Sequence, residues 1–192
     1  MRKRNLILVA SALPLAALFA LLGWVVVQSG GSPGGFGINS RFGEVPVDQR
    51  SAWEFQVTTL EGDPVSLQGL RGKVVMLDFW SSWCPPCRTE APALSQVYRE
   101  YRDRDVEFIG MAIWDDPGAV GDHVREFDVP YHNAMDDKGE IAIDYGVAGI
   151  PEKFFIDREG NLVRSFVGPM DAGSLREVLD ELLAAAPRAG DG

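Results

Sequence analysis

The sequence predicts an α/β domain with a mixed sheet, on three observations. Apolar runs of strand length alternate with helical stripes; the chain ends in a hairpin and a helix; and hydrophobic and charged residues, 46% and 24% of 192, are balanced as in a globular protein. One core of ordinary size fits this length. The 18 Lys and Arg against 28 Asp and Glu give a net charge of -10, which excludes a chain built to neutralise phosphates, so no nucleic acid partner is expected.

Arg2, Lys3 and Arg4 lead into Leu6–Val27, an uncharged run of 22 residues. As a helix it would reach about 33 Å, the hydrocarbon thickness of a bilayer. The basic cluster orients the N-terminus to the cytoplasm and Trp24 suits the far interface. Residues 1–28 are therefore read as a cytoplasmic tip and a single transmembrane signal anchor, with the rest of the chain on the outer side. The run exceeds the roughly 7–15 apolar residues of a cleaved signal peptide, the competing reading that Ala16, Ala17 and Ala20 keep open. No cysteine precedes Cys84, which excludes a lipoprotein. Residues 29–40, beginning SGGSPGGFGIN, have the composition of a flexible tether. The folded domain is expected over 41–187, followed by a flexible tail at 188–192.

Within the domain, Glu54–Leu60 alternates as a half-buried strand and runs into turn chemistry at Glu61-Gly62-Asp63-Pro64. Val74–Trp80 (VVMLDFW) is apolar apart from Asp78, as expected of a central strand covered on both faces. Ala91, Leu94, Val97, Tyr98 and Tyr101 form a helical stripe over Cys87–Tyr101, kinked at Pro92. Val106–Trp114 reads as the next strand, Pro117–Phe127 as a helix and Gly139–Tyr145 as a short helix. Lys153–Ile156 and Leu162–Val167 form a hairpin around Arg158-Glu159-Gly160-Asn161. Asp171–Ala185 is the terminal helix, capped by Asp171 or Ser174.

Cys84 and Cys87, the only cysteines, stand between the central strand and the following helix. A helix N-terminus offers free N–H groups and partial positive charge, which favour the thiolate of the first cysteine and shield the second. Cys84 is expected to attack and Cys87 to resolve. A structural staple is the weaker reading, because a four-residue loop removes only about 2 kcal/mol of unfolded-state entropy against about 4 for sixty residues. A zinc site would need two more ligands; His123 and His132, expected as loop or surface residues, are not at ligand spacing, so no metal is expected.

The residues around this pair resemble the thioredoxin superfamily, in particular the membrane-tethered thiol-disulfide interchange proteins of the TlpA and DsbE type. The resemblance rests on Val65-Ser66-Leu67, on Leu70-Arg71-Gly72-Lys73-Val74-Val75, and on Phe79-Trp80-Ser81-Ser82-Trp83-Cys84-Pro85-Pro86-Cys87. Pro92 matches the helix-kinking proline, and Tyr145-Gly146-Val147-Ala148-Gly149-Ile150-Pro151-Glu152-Lys153-Phe154-Phe155-Ile156-Asp157 is similar to the segment that carries the family's cis-proline. It covers about Val45–Leu183 and leans toward the cytochrome c biogenesis branch. It implies a thioredoxin-like fold with an N-terminal extension and an insertion around Trp114–Tyr145.

The same resemblance makes Pro151 the cis-proline that sets the Ile150 backbone beside the sulfurs to clamp substrate. Trp83, Pro85 and Pro86 complete the expected substrate-binding set, and Trp80 is expected to serve the core. Asp78, a carboxylate in an apolar strand, is expected to stay protonated and to relay a proton to Cys87. Glu152 looks like the branch's active-site acid, with a solvated strand-edge charge as the bland alternative. The acids Asp78, Glu90 and Glu152, opposed only in part by Arg88, disfavour a thiolate, so the pair should lean reducing. The resemblance implies reduction of the CxxCH disulfide of apocytochrome c before haem attachment, with electrons supplied by a membrane donor of the DsbD or CcdA kind. The alternatives are a general TlpA-like reductase for other exported or copper-site proteins, or a non-catalytic metal-binding module. No diffusible cofactor is expected, the redox centre being the cysteine pair itself.

Overall fold

The computed structural model describes residues 14–24, 37–39 and 42–185. The chain divides into two units, 1–36 and 37–192. In the first, residues 14–24 are helical and expose Leu15, Phe19 and Trp24. Among the described residues no helix is long and apolar enough to cross a membrane. Half of the predicted span Leu6–Val27, at 6–13 and 25–27, lies outside the described residues, as do the basic tip, most of the tether and the tail at 188–192.

The second unit is built on a mixed seven-stranded sheet. Its elements are β1 (Gly37–Ile38), β2 (Gly43–Val45), β3 (Arg50–Ser51), β4 (Gln56–Thr58), β5 (Pro64–Ser66), β6 (Val74–Trp80), α1 (Pro85–Tyr101), β7 (Val106–Ala112) and α2 (Pro117–Glu126). There follow β8 (His132–Met135), α3 (Glu140–Tyr145), β9 (Gly149–Ile150), β10 (Glu152–Ile156), β11 (Asn161–Val167) and α4 (Ala172–Ala184). The main sheet runs β2-β11-β10-β6-β7-β8, with β3 also on β11. β6, β7 and β8 are parallel, whereas β10 lies antiparallel to both β6 and β11. The predicted mixed α/β, thioredoxin-like architecture is the observed one. The turn at 61–64 joins β4 and β5 in a hairpin of the N-terminal extension. The expected insertion contains α2, β8 and α3; β8 escaped the sequence reading because HNAM shows neither alternation nor β-branched residues.

All seven residues of β6 are buried, as a central strand requires. Val75, Leu77 and Phe79 pack with Tyr145 and Phe154 on one face. Val74 and Met76 pack on the other with Leu94 and Val97 of α1 and Leu175 and Leu179 of α4. α1 begins with prolines in its first two positions, where the missing N–H groups cost nothing, and Pro92 sits inside it. Asp171 caps α4 by accepting from the Gly173 and Ser174 amides.

One boundary differs from the sequence reading. The tether assigned to 29–40 includes residues that belong to the folded unit, since Gly37 and Ile38 pair in parallel with Gly149 and Ile150. Asn39 adds hydrogen bonds from its backbone and side-chain nitrogens to the carbonyls of 149–151. Glycine-rich composition conceals such docking, because the partner is backbone rather than a side-chain pattern.

Candidate active site

β6 delivers the chain to the cysteines through Ser81-Ser82-Trp83, and four hydrogen bonds fix this turn to the residues after β7. The Ser81 hydroxyl donates to the Ile113 carbonyl. The Ser82 amide and hydroxyl donate to Asp115 at 2.5 and 3.0 Å. The Trp83 indole donates to the Trp114 carbonyl at 2.9 Å. Trp80 lies in the core, whereas Trp83 and Trp114 stay on the rim, 44% and 52% exposed.

Cys84 is the N-cap residue of α1, and its sulfur accepts from the Cys87 amide at 3.3 Å. The two cysteines are joined in a disulfide. Pro85 and Pro86 occupy the turn between them. Cys87 is buried as expected, but so is Cys84, which has no exposed surface. Pro151 follows Ile150 through a cis peptide bond, and Ile150 is buried in the same cluster as both sulfurs. Arg88 does not face the cysteines as a free charge: its guanidinium pairs with Glu126 at 2.7 Å and lies over the Phe127 ring.

The lone acid predicted at Asp78 has company. Antiparallel pairing puts Lys153 directly opposite Asp78, and the Lys153 ammonium is 3.2 Å from its carboxylate, an ion pair without hydrogen-bond alignment. The same ammonium donates to Glu90, which projects from α1 one turn after Cys87 and also accepts the Met170 amide at 2.8 Å. All three side chains are buried. Burial pushes the Asp78 carboxyl up, with the Lys153 charge opposing. Burial also pushes Glu90 up to about 7, against Lys153 and with Asp78. Burial alone would lower Lys153, but the two carboxylates hold its proton more firmly than in water. Two buried negative charges against one positive are costly, so the cluster takes up a proton more readily than separate exposed carboxyls would.

Glu152, buried rather than solvated at a strand edge, is pushed up to about 7 by desolvation, opposed by a hydrogen bond from the Ala148 amide. Both expectations for the histidines need correction. His123 is buried on α2 with its ring 4.4 Å from Trp80 and 4.6 Å from Phe127, centroid to centroid. His132 lies half-buried on β8. The Val120, His123, Val124, Phe127 spacing marks an inward helix face and would have revealed the first. The sequence reading also missed Lys153 as a partner of Asp78, since only the strand register brings them together. Among the described residues no group of three or more His, Cys, Asp or Glu is arranged to hold a metal ion. The clefts beside Arg158 and Glu181 and beside Ser165 and Glu177 are not lined by either cysteine.

A cysteine pair bridged at the head of the helix that follows the central strand, with an X-Pro turn beside it, defines a thiol-disulfide oxidoreductase of the thioredoxin superfamily. The chain belongs to the Redoxin family, which matches residues 47–183. It is 35% identical over 133 residues to the thiol-disulfide oxidoreductase ResA of Bacillus thuringiensis subsp. konkukian, covering 69% of this chain and 77% of that protein. A secreted Mycobacterium tuberculosis disulfide oxidoreductase homologous to E. coli DsbE superposes with a TM-score of 0.61 and 34% identity, covering 67% of this chain and 96% of that one. The thiol:disulfide interchange protein of Chlorobium tepidum TLS does so with a TM-score of 0.67 and 27% identity, covering 73% and 100%. Within the family, the chain is ResA-, DsbE- and TlpA-like.

Proposed function

We propose that this thiol-disulfide oxidoreductase works as a membrane-anchored reductase outside the cytoplasm, with the CxxCH disulfide of apocytochrome c as its substrate. The observation that carries this reading is the Cys84–Cys87 disulfide at the N-terminus of α1, in a chain similar to ResA. In the reduced enzyme the Cys84 thiolate attacks one substrate sulfur, and the other substrate sulfur leaves as a thiolate. Cys87 then attacks the Cys84 sulfur, releasing the second substrate thiol and closing the Cys84–Cys87 disulfide. Two electrons return from a thiol donor in the membrane, of the DsbD or CcdA kind.

Asp78, Glu90 and Lys153 have the chemistry to accept the Cys87 proton and return it, since they are buried together and burial holds both carboxyls above their ordinary range. Pro151 and Ile150 would present backbone to the substrate, with Trp83, Pro85 and Pro86 around the sulfurs and Glu152 as a neighbouring acid. The test is a trap: Cys87→Ala should hold an oxidised CxxCH peptide as a mixed disulfide on Cys84. Capture of other exported disulfide proteins and never the haem-binding peptide would assign the broader reductase role instead.

A further inference from the structure

β9 is the short strand that ends just before Pro151, and among the described residues its only strand partner is β1, from the glycine-rich segment before the domain. The pairing is close on every side. Gly37 lies opposite Gly149 and Ile38 opposite Ile150. The Asn39 amide donates to the Ile150 carbonyl at 2.8 Å, and its side-chain nitrogen donates to the carbonyls of both Gly149 and Pro151 at 2.9 Å. A Cβ on Gly149 would fall 2.7 Å from the Asn39 side-chain oxygen, so the asparagine fits only because 149 is glycine. A Cβ on Gly37 would stand 3.2 Å from the Trp114 ring and 3.4 Å from the Trp83 ring, and Gly37 has φ +105°, a region glycine adopts freely. The segment thus threads between the two rim tryptophans and the strand edge beside the cysteines. With it in place, Cys84 has no exposed surface.

Resting on the proposed function, we infer that this edge is the peptide-docking surface of the enzyme and that Gly37–Asn39 occupies it in competition with substrate. An extended peptide adds to such an edge through backbone hydrogen bonds, with side-chain positions setting preference. The occupant shows what fits: a small residue between Trp83 and Trp114, and two residues later a side-chain amide that can donate to two carbonyls. The preferred partner is therefore an extended segment with a small residue and an amide or comparable donor at that spacing. The β1–β9 pair is separate from the seven-stranded sheet, so the segment can leave without unpairing any strand of that sheet. Two strands of two residues are marginal by themselves, which suits an occupant that must be displaced.

The experiment uses the full chain and two substitutions, Asn39→Ala and Gly37→Val. An oxidised CxxCH peptide serves as substrate, and iodoacetamide reports the accessibility of reduced Cys84. If the segment is docked about nine-tenths of the time, its release lowers the KM for the peptide about tenfold with kcat unchanged, and alkylation of Cys84 speeds up by a similar factor. The reduction potential and the pH midpoint of alkylation stay those of the unsubstituted chain, since access changes and electronics do not. An unchanged or raised KM in both variants, or a gain that comes with a shifted potential, would overturn the inference. An unsubstituted chain that exchanges with no disulfide at all would refute the proposed function instead. The alkylation rates need no substrate and would still decide whether the segment covers Cys84.

Discussion

A fully buried lysine between two buried carboxylates is an arrangement with consequences that single residues can report. Lys153 pairs with both Asp78 and Glu90. Lys153→Met leaves two carboxyls facing each other in the core, and loss of one partner from a buried pair costs about 3–5 kcal/mol. That loss should appear in urea unfolding at pH 8 and shrink at pH 5, where both carboxyls take protons; an equal loss at the two values would mean that only packing had changed. Asp78→Asn should slow decay of the mixed disulfide about tenfold or more, as expected of a lost proton relay. An unchanged rate would leave Asp78 as a tolerated core acid. Glu152 has a folded pKa of about 7 against 4.5 for the ordinary carboxyl. A raised carboxyl pKa favours folding below its ordinary value, and that contribution disappears as pH rises through the folded value. Glu152→Gln should therefore flatten stability between pH 4.5 and 7, as followed by chemical unfolding.

The elements show how far sequence pattern reaches. α2 turns His123 inward between Trp80 and Phe127, and burial, with the Arg88 charge second, pushes it down to about 4. A depressed histidine supports folding fully above its ordinary pKa near 6.5, and its support is lost as pH falls through the folded value. Thermal melts from pH 7 to pH 4 should show this loss, and His123→Gln, uncharged throughout, should melt with a shallower acid limb. β6 and β7 were legible because they are largely apolar over a strand's length, β10 and β11 because they flank the turn at Arg158-Glu159-Gly160-Asn161, and α1 because its stripe follows the helical period. The cysteines were legible for a different reason, namely position: they fall where a strand gives way to a helix. Lys153 was not, because its meaning depends on the register between β10 and β6. Glu90 was read only as a nearby acid, although it lies three residues beyond Cys87 on the same helix. The docking of Gly37–Asn39 left no mark, since Gly-Ile-Asn at the end of a Gly/Ser-rich run reads as tether.

For the molecule as a whole, the balance of charge around the cysteines decides the direction of electron flow. The N-terminus of α1 lowers the cost of a thiolate at Cys84. Against this stand Asp78, Glu90 and Glu152, which burial gathers on β6, α1 and β10, while Lys153 is occupied by two of them. Arg88, the nearest cation in sequence, is held by Glu126 on α2 and does not tip the balance. A dithiol becomes a strong oxidant when its reduced form is stabilised as a thiolate, and here the surroundings withhold that stabilisation. The pair should equilibrate with glutathione or dithiothreitol at a potential of about -200 mV or lower, in the range of reductants rather than near the -120 mV of a strong oxidant. A value near that oxidising limit would make the chain a donor of disulfides and would require the helix N-terminus to outweigh all three acids. In that case Glu90→Gln would leave the potential almost unchanged, whereas in a reducing pair the same substitution, measured above pH 7 where Glu90 carries its charge, should make the potential less negative by removing a negative charge one turn from Cys87.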